Sequence, residues 1–347
     1  MKKAYFLFLI SIAWVTVTAQ DSSKRYRDNL FASIDKQTVA YGSNVNYLDQ
    51  QENLLADVYT AAGDTLTKKA MIIYLHGGGF KSGHRDDTAC VELCKKLAQK
   101  GYVTASVDYR AGYSETTTQQ QITAMLRAVQ DLNGFVRYAK ANADSFNIDT
   151  AKIFITGSSA GAITVLAKAY FKIDTLALSL GITSLNDLEG NTNDLAYSSS
   201  VAAVFSMWGA LYDTGWIHEE DIPVGCVHSS GDVTVPFVSG YNKQNTSLLL
   251  FGSQSIYNRA SNVGIKTALH VYTSGKHDLG IKVSPYKDST VQLIADFFYT
   301  IMWENEEKAS FLQRPNRDQQ LLSTSFDAVA ERKIISFHNI RKQHHAA

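Results

Sequence analysis

Five consecutive residues, Met71-Ile72-Ile73-Tyr74-Leu75, leave this chain little freedom in how it folds. They form a continuous apolar run with no polar alternation. Such a run belongs to a strand buried on both faces, as in a parallel sheet with helices packed on each side. The neighbouring segments extend the pattern. Asn53 to Tyr59 reads as a strand, and Thr88 to Lys100 shows helical spacing at Ala89, Leu93, Leu97 and Ala98 before Gly101 stops it. Further strands are expected at Tyr102–Val107, Lys152–Thr156, Val201–Met207, Val224–Ser229 and Ala268–Tyr272. Helices are expected at Gln119–Ala143, Ala160–Phe171 and Tyr286–Glu304. Strands alternating with helices give an α/β domain around a mostly parallel sheet. Leu30 to Asn46 carries no clear pattern. Lys172 to Ser200 is polar and reads as an insertion above the sheet, and residues 305–347 read as a loosely structured C-terminal tail.

Composition narrows the function classes. Of 347 residues 45% are apolar, and 33 basic side chains balance 33 acidic ones, so neither disorder nor a phosphate backbone as partner is expected. Lys2 and Lys3, the apolar run Ala4 to Val17 and the small-residue site Val17-Thr18-Ala19 read as a signal peptide. The run is shorter than the roughly 20 residues of a spanning helix. The expected product starts at Gln20 and is exported, periplasmic or extracellular, without a stable membrane anchor. Cys90 and Cys94 lie four apart on a helical segment, where Cβ atoms stand about 5–6 Å apart, too far for a disulfide. With Cys226 on a buried strand, all three read as core thiols.

Gly157-Ser158-Ser159-Ala160-Gly161 lies between an apolar strand and a helical segment. A serine at the centre of such a turn is lifted over the N-terminus of the following helix, where partial positive charge favours a developing anion. Ser159 is the candidate nucleophile; Ser158 lacks glycines at the right offsets. His76-Gly77-Gly78-Gly79-Phe80 directly follows Met71–Leu75, and its bare N–H groups suit an oxyanion hole, with Ala160 as the further donor. A serine needs a base, and the base an orienting carboxylate. His277, in Ser274-Gly275-Lys276-His277-Asp278, sits in a loop directly after a late strand. His270 is inside a strand, and His338, His344 and His345 are in the tail. Asp232 follows the strand Val224–Val227 beside Pro236, whereas Asp213 and Asp221 sit less cleanly after a strand. Asp278 adjoins His277, and adjacent residues rarely face each other. His84-Arg85-Asp86-Asp87 reads as a solvated loop. No cluster has metal-ligand spacing, so neither metal nor cofactor is expected.

Together these motifs, with Asp108-Tyr109-Arg110, resemble the HGGG-type carboxylesterases, the hormone-sensitive-lipase-like branch of the α/β-hydrolase superfamily, over Asn53 to Glu304. The resemblance implies an α/β-hydrolase fold with a mostly parallel central sheet, helices on both faces and a small insertion after the nucleophile helix. It implies Ser159 as nucleophile, His277 as base, Asp232 as acid, and two of the three glycines, taken as Gly77 and Gly78, with Ala160 as oxyanion donors; Asp108 and Arg110 look structural. That branch usually has Asp, Glu or His in place of Ser158 and Gly in place of Ala162, and its two-helix N-terminal cap is not evident here. Relatives with a similar elbow include arylformamidases and small exported feruloyl or acetyl esterases. The expected activity is hydrolysis of short-chain acyl, acetyl or feruloyl esters, small or carbohydrate-linked, with Phe80, Trp208, Tyr212 and Trp216 as pocket candidates. Amide cleavage by the same triad, as an arylformamidase or a peptidase, and an inactive hydrolase fold used for binding are the alternatives. The sequence leaves the oligomeric state open.

Overall fold

The computed structural model describes residues 24–172, 178, 186–242, 245–273 and 275–312. The proposed signal peptide and most of the tail lie outside these. The central sheet has eight strands: β1 (Ile34–Val45), β2 (Gln51–Ala61), β3 (Lys69–Leu75), β4 (Val103–Val107), β5 (Ile148–Ser158), β6 (Ala203–Met207), β7 (Val224–Ser229) and β8 (Thr267–Tyr272). Their order in the sheet is β1-β2-β4-β3-β5-β6-β7-β8. β2 pairs antiparallel with both β1 and β4, and every pair from β4 to β8 is parallel. Only β2 therefore runs against the rest.

Alternation along each strand divides the core between the two faces of the sheet. On β3, Met71, Ile73 and Leu75 join one cluster, and Ala70, Ile72 and Tyr74 join the other. The first cluster takes in α2 (Thr118–Ala141), α3 (Ala160–Tyr170) and α4 (Ser253–Asn262). The second takes in α1 (Thr88–Ala98), the short α5 (Leu279–Lys282) and α6 (Tyr286–Leu312). Helix α1 buries Cys90, Leu93, Cys94, Leu97 and Ala98, one stripe at three- and four-residue spacing. Helix α3 is buried over nearly its whole surface, because it is sandwiched between the sheet and α2. The three cysteines are free and buried.

Several features were not anticipated. β1 falls where no pattern was visible: it is an antiparallel edge strand, mostly exposed, and has no apolar alternation to display. A second, three-stranded sheet joins Ala210–Leu211, Ser239–Asn242 and Asn245–Gly252. Its hairpin leaves the chain between β7 and α4. The helix expected to stop at Glu304 runs to Leu312. Within the expected insertion, the described residues from Asn186 onward lie along α2 and β1, through Thr192 Oγ1 to Asp131 (2.8 Å) and Asn193 Nδ2 to the carbonyls of Tyr41 and Gly134.

Candidate active site

Parallel strands deliver their following loops to one edge of the sheet, and four of those loops carry polar groups into a single cavity of about 610 Å³. After β5 the chain turns so sharply that Ser159 adopts φ 53°, ψ −117°. This is a conformation that a non-glycine residue holds only when its surroundings enforce it. Here they do. A Cβ on Gly157 would lie 2.4 Å from the backbone of Gly161, and one on Gly161 would lie 2.2 Å from the carbonyl oxygen of Leu75. The Ser159 N–H is tied to the carbonyl of Met207 at the end of β6 (3.0 Å).

The Ser159 hydroxyl meets His277 Nε2 at 2.8 Å, and His277 Nδ1 meets Asp232 Oδ2 at 2.6 Å. Nδ1 faces a carboxylate and so carries the proton, which leaves Nε2 to accept from the serine. The loop after β7 folds back on Asp232, whose Oδ1 accepts from the N–H groups of Thr234 (2.8 Å) and Val235 (3.1 Å). Burial alone would raise its pKa. Hydrogen bonds from His228 and His277 outweigh burial and hold the carboxyl well below the usual carboxylate range.

His228, near the end of β7, is a residue to which the sequence reading gives no role. It is fully buried, with Nε2 3.3 Å from Asp232 Oδ2 and 3.2 Å from the Val235 carbonyl. Both neighbours are acceptors, so Nε2 bears the proton and Nδ1 accepts from Ser253 Oγ at 2.8 Å. The acid is thus gripped by two histidines. The available signal was the four-residue spacing of His228 and Asp232 at a strand end.

Gly77, Gly78 and Ala160 all line the cavity beside Ser159. A Cβ on Gly77 would lie 3.2 Å from that of Ser159, and Gly78 and Gly79 hold φ of 114° and 63°. As the first residue of α3, Ala160 has an N–H with no intrahelical acceptor. His76 anchors this loop. It is buried, stacks on Tyr109 at 4.3 Å, and donates from Nδ1 to the Gly77 carbonyl at 2.7 Å; burial lowers its pKa. In the next stretch His84, Asp86 and Asp87 are exposed, as a solvated loop requires, and only Arg85 departs from that reading. Arg85 is half-buried, and it bridges Asp108 (2.7 Å) and Asp57 (3.3 Å). Asp108 and Arg110 are structural, Arg110 pairing with buried Asp131 at 2.9 Å.

Phe80 and Tyr212 line the cavity. Trp208 does not; it is buried behind the base, its ring edge-on to His277 at 6.4 Å, while Trp216 packs on Phe171. The hairpin contributes Asn242, Leu248 and Leu250 to the wall, none of which the sequence pointed to. Asp278 also departs from expectation: its Oδ1 stands 3.6 Å from His277 Nε2. None of the described residues from Asn186 to Ser200 lines the cavity. Among the described residues no cluster could hold a metal ion, and no helix is long and apolar enough to cross a membrane.

The fold has counterparts among solved structures. Thermogutta terrifontis esterase 2 with propionate bound superposes at a TM-score of 0.59, with 18% identity, over 76% of this chain and 94% of that one. The same enzyme phosphorylated by paraoxon gives 0.59, 19%, 77% and 94%. The chain has an α/β-hydrolase fold. Residues 56–211 match the BD-FAE family model, a span that includes the glycine loop and the elbow and stops before Asp232 and His277. Two curated relatives are similar to this chain over shorter stretches. Gut esterase 1 of Caenorhabditis elegans is 31% identical over 102 residues, 28% of this chain and 18% of that protein. An acetyl esterase of Salmonella schwarzengrund is 29% identical over 109 residues, 31% of each chain. The matched stretch thus spans less than a third of either relative.

Proposed function

We propose that this chain hydrolyses carboxylic esters through an acyl-enzyme on Ser159. The observation that carries the reading is the unbroken hydrogen-bond chain Ser159–His277–Asp232, opening into a cavity beside the N–H groups of Gly77, Gly78 and Ala160. His277 takes the hydroxyl proton as Ser159 Oγ bonds to the ester carbon, and the oxygen that becomes negative is met by the backbone donors. The ester C–O bond then breaks, and the departing alcohol receives that proton from Nε2. Asp232 keeps the imidazole in the required tautomer throughout. Water repeats the sequence on the acyl-enzyme and frees the acid. The esterases named among the relatives support the same chemistry.

A short acyl group suits the cavity. Tyr212, Ile163, Leu248 and Leu250 give it an apolar wall. Acetyl and feruloyl esters are the substrates we favour, on small or carbohydrate-linked alcohols. Export with removal of residues 1–19 is part of the proposal, and N-terminal sequencing of the secreted product should begin at Gln20.

The test is hydrolysis of p-nitrophenyl acetate and butyrate by the purified chain and by Ser159→Ala. Turnover in the parent should fall by about 10⁴-fold or more in the variant. Activity that survives the substitution would sink the reading.

A further inference from the structure

Asp278 holds its backbone in the left-handed region, φ 66°, directly after the base. That turn swings its carboxylate round to the working side of the imidazole. Oδ1 lies 3.6 Å from Nε2, the same nitrogen that meets Ser159 Oγ at 2.8 Å. Lys282, one helical turn later, holds Oδ2 at 2.8 Å. Both side chains line the cavity and remain partly open to solvent.

In ester cleavage the departing oxygen must come within hydrogen-bond reach of Nε2 to collect its proton. The carbon bearing that oxygen then sits beside Asp278. A bare carboxylate there competes with the departing oxygen for the Nε2 proton. A hydroxyl on the next carbon of the alcohol removes the competition by donating to Oδ1, and it fixes the departing oxygen in line with Nε2. Two oxygens on adjacent carbons reach Nε2 and Oδ1 together, and the Lys282 ammonium offers a donor to a third. A hydrocarbon alcohol supplies none of these partners and must desolvate the ion pair.

Resting on the esterase reading above, we propose that Asp278 selects esters whose alcohol carries a second hydroxyl next to the ester oxygen, as glycerol and sugars do. In the step itself the bond between Ser159 Oγ and the acyl carbon forms, the bond to the alcohol oxygen breaks, and that oxygen takes the proton removed from Ser159. Asp278 neither gains nor loses a proton.

The readout is the ratio of kcat/KM for glycerol monoacetate to that for ethyl acetate, two esters with the same acyl group. Asp278→Gly accepts φ 66° without strain and removes the carboxylate. The ratio should fall by about tenfold, the worth of one hydrogen bond to a charged group. Asp278→Asn, which also tolerates that backbone, should lower it in the same direction. A ratio that moves by less than about twofold in Asp278→Gly overturns the proposal. p-Nitrophenyl acetate, run with parent and Ser159→Ala, separates the two readings. If it is not hydrolysed through Ser159, the esterase reading falls; if it is and the ratio stays flat, only the role of Asp278 falls.

Discussion

Asp232 is a buried carboxylate that stays ionised because four groups address it: two backbone N–H groups and two imidazoles. With its pKa depressed in the fold, the stability it contributes is complete above the ordinary aspartate value of about 3.9 and is lost as the pH drops from there toward the folded value. Melting temperatures followed from pH 4 to pH 2 should therefore fall more steeply for the parent than for Asp232→Asn. At neutral pH the same variant should lose about 10⁴-fold in kcat, since an amide favours the wrong imidazole tautomer. His228→Leu should cost about tenfold in turnover and lower the melting temperature, as it leaves one lone pair of a buried carboxylate without a donor. These side chains differ in how visible they are beforehand. Ser159, His277 and Asp232 are legible because each follows an apolar strand in a fixed chain order. His228 looks like any strand residue until its partner is known. The contact of Asp278 depends on a left-handed backbone that no residue pattern announces.

At the scale of elements, the elbow and the glycine loop are built against each other. Gly161 lets α3 approach the end of β3, where a Cβ would sit 2.2 Å from the Leu75 carbonyl. Gly161→Ala should therefore destabilise the protein by more than about 3 kcal/mol, seen as a large drop in the denaturant midpoint, or prevent folding altogether. The buried parallel strands could be read at once from short apolar runs such as Met71–Leu75 and Ile153–Ile155. β1 could not, as its outer surface faces water. Nor could the hairpin Ser239–Gly252, where polar residues separate two short strands and the buried leucines are Leu248 and Leu250 among the described residues. Since those leucines form part of the cavity wall, Leu250→Ala should enlarge it. The ratio of butyrate to acetate hydrolysis should then rise severalfold, and stability should fall by about 2–5 kcal/mol.

Across the whole molecule, opposite charges balance and the reacting groups sit at the centre of one sheet, with β3 and β5 side by side. No net field draws in a neutral ester. kcat/KM for p-nitrophenyl acetate should change by less than about twofold between 20 mM and 500 mM NaCl, with a steep salt dependence counting against this picture. The three thiols have a practical bearing on the same scale. Cys90, Cys94 and Cys226 are free and enclosed, and burial pushes Cys90 and Cys226 up to about 12. With so little thiolate at working pH, they resist alkylating reagents and oxidants. Nothing in the described fold waits on an oxidising compartment, so residues 20–347 should fold equally well in a reducing cytoplasm, and dithiothreitol should be harmless to the protein.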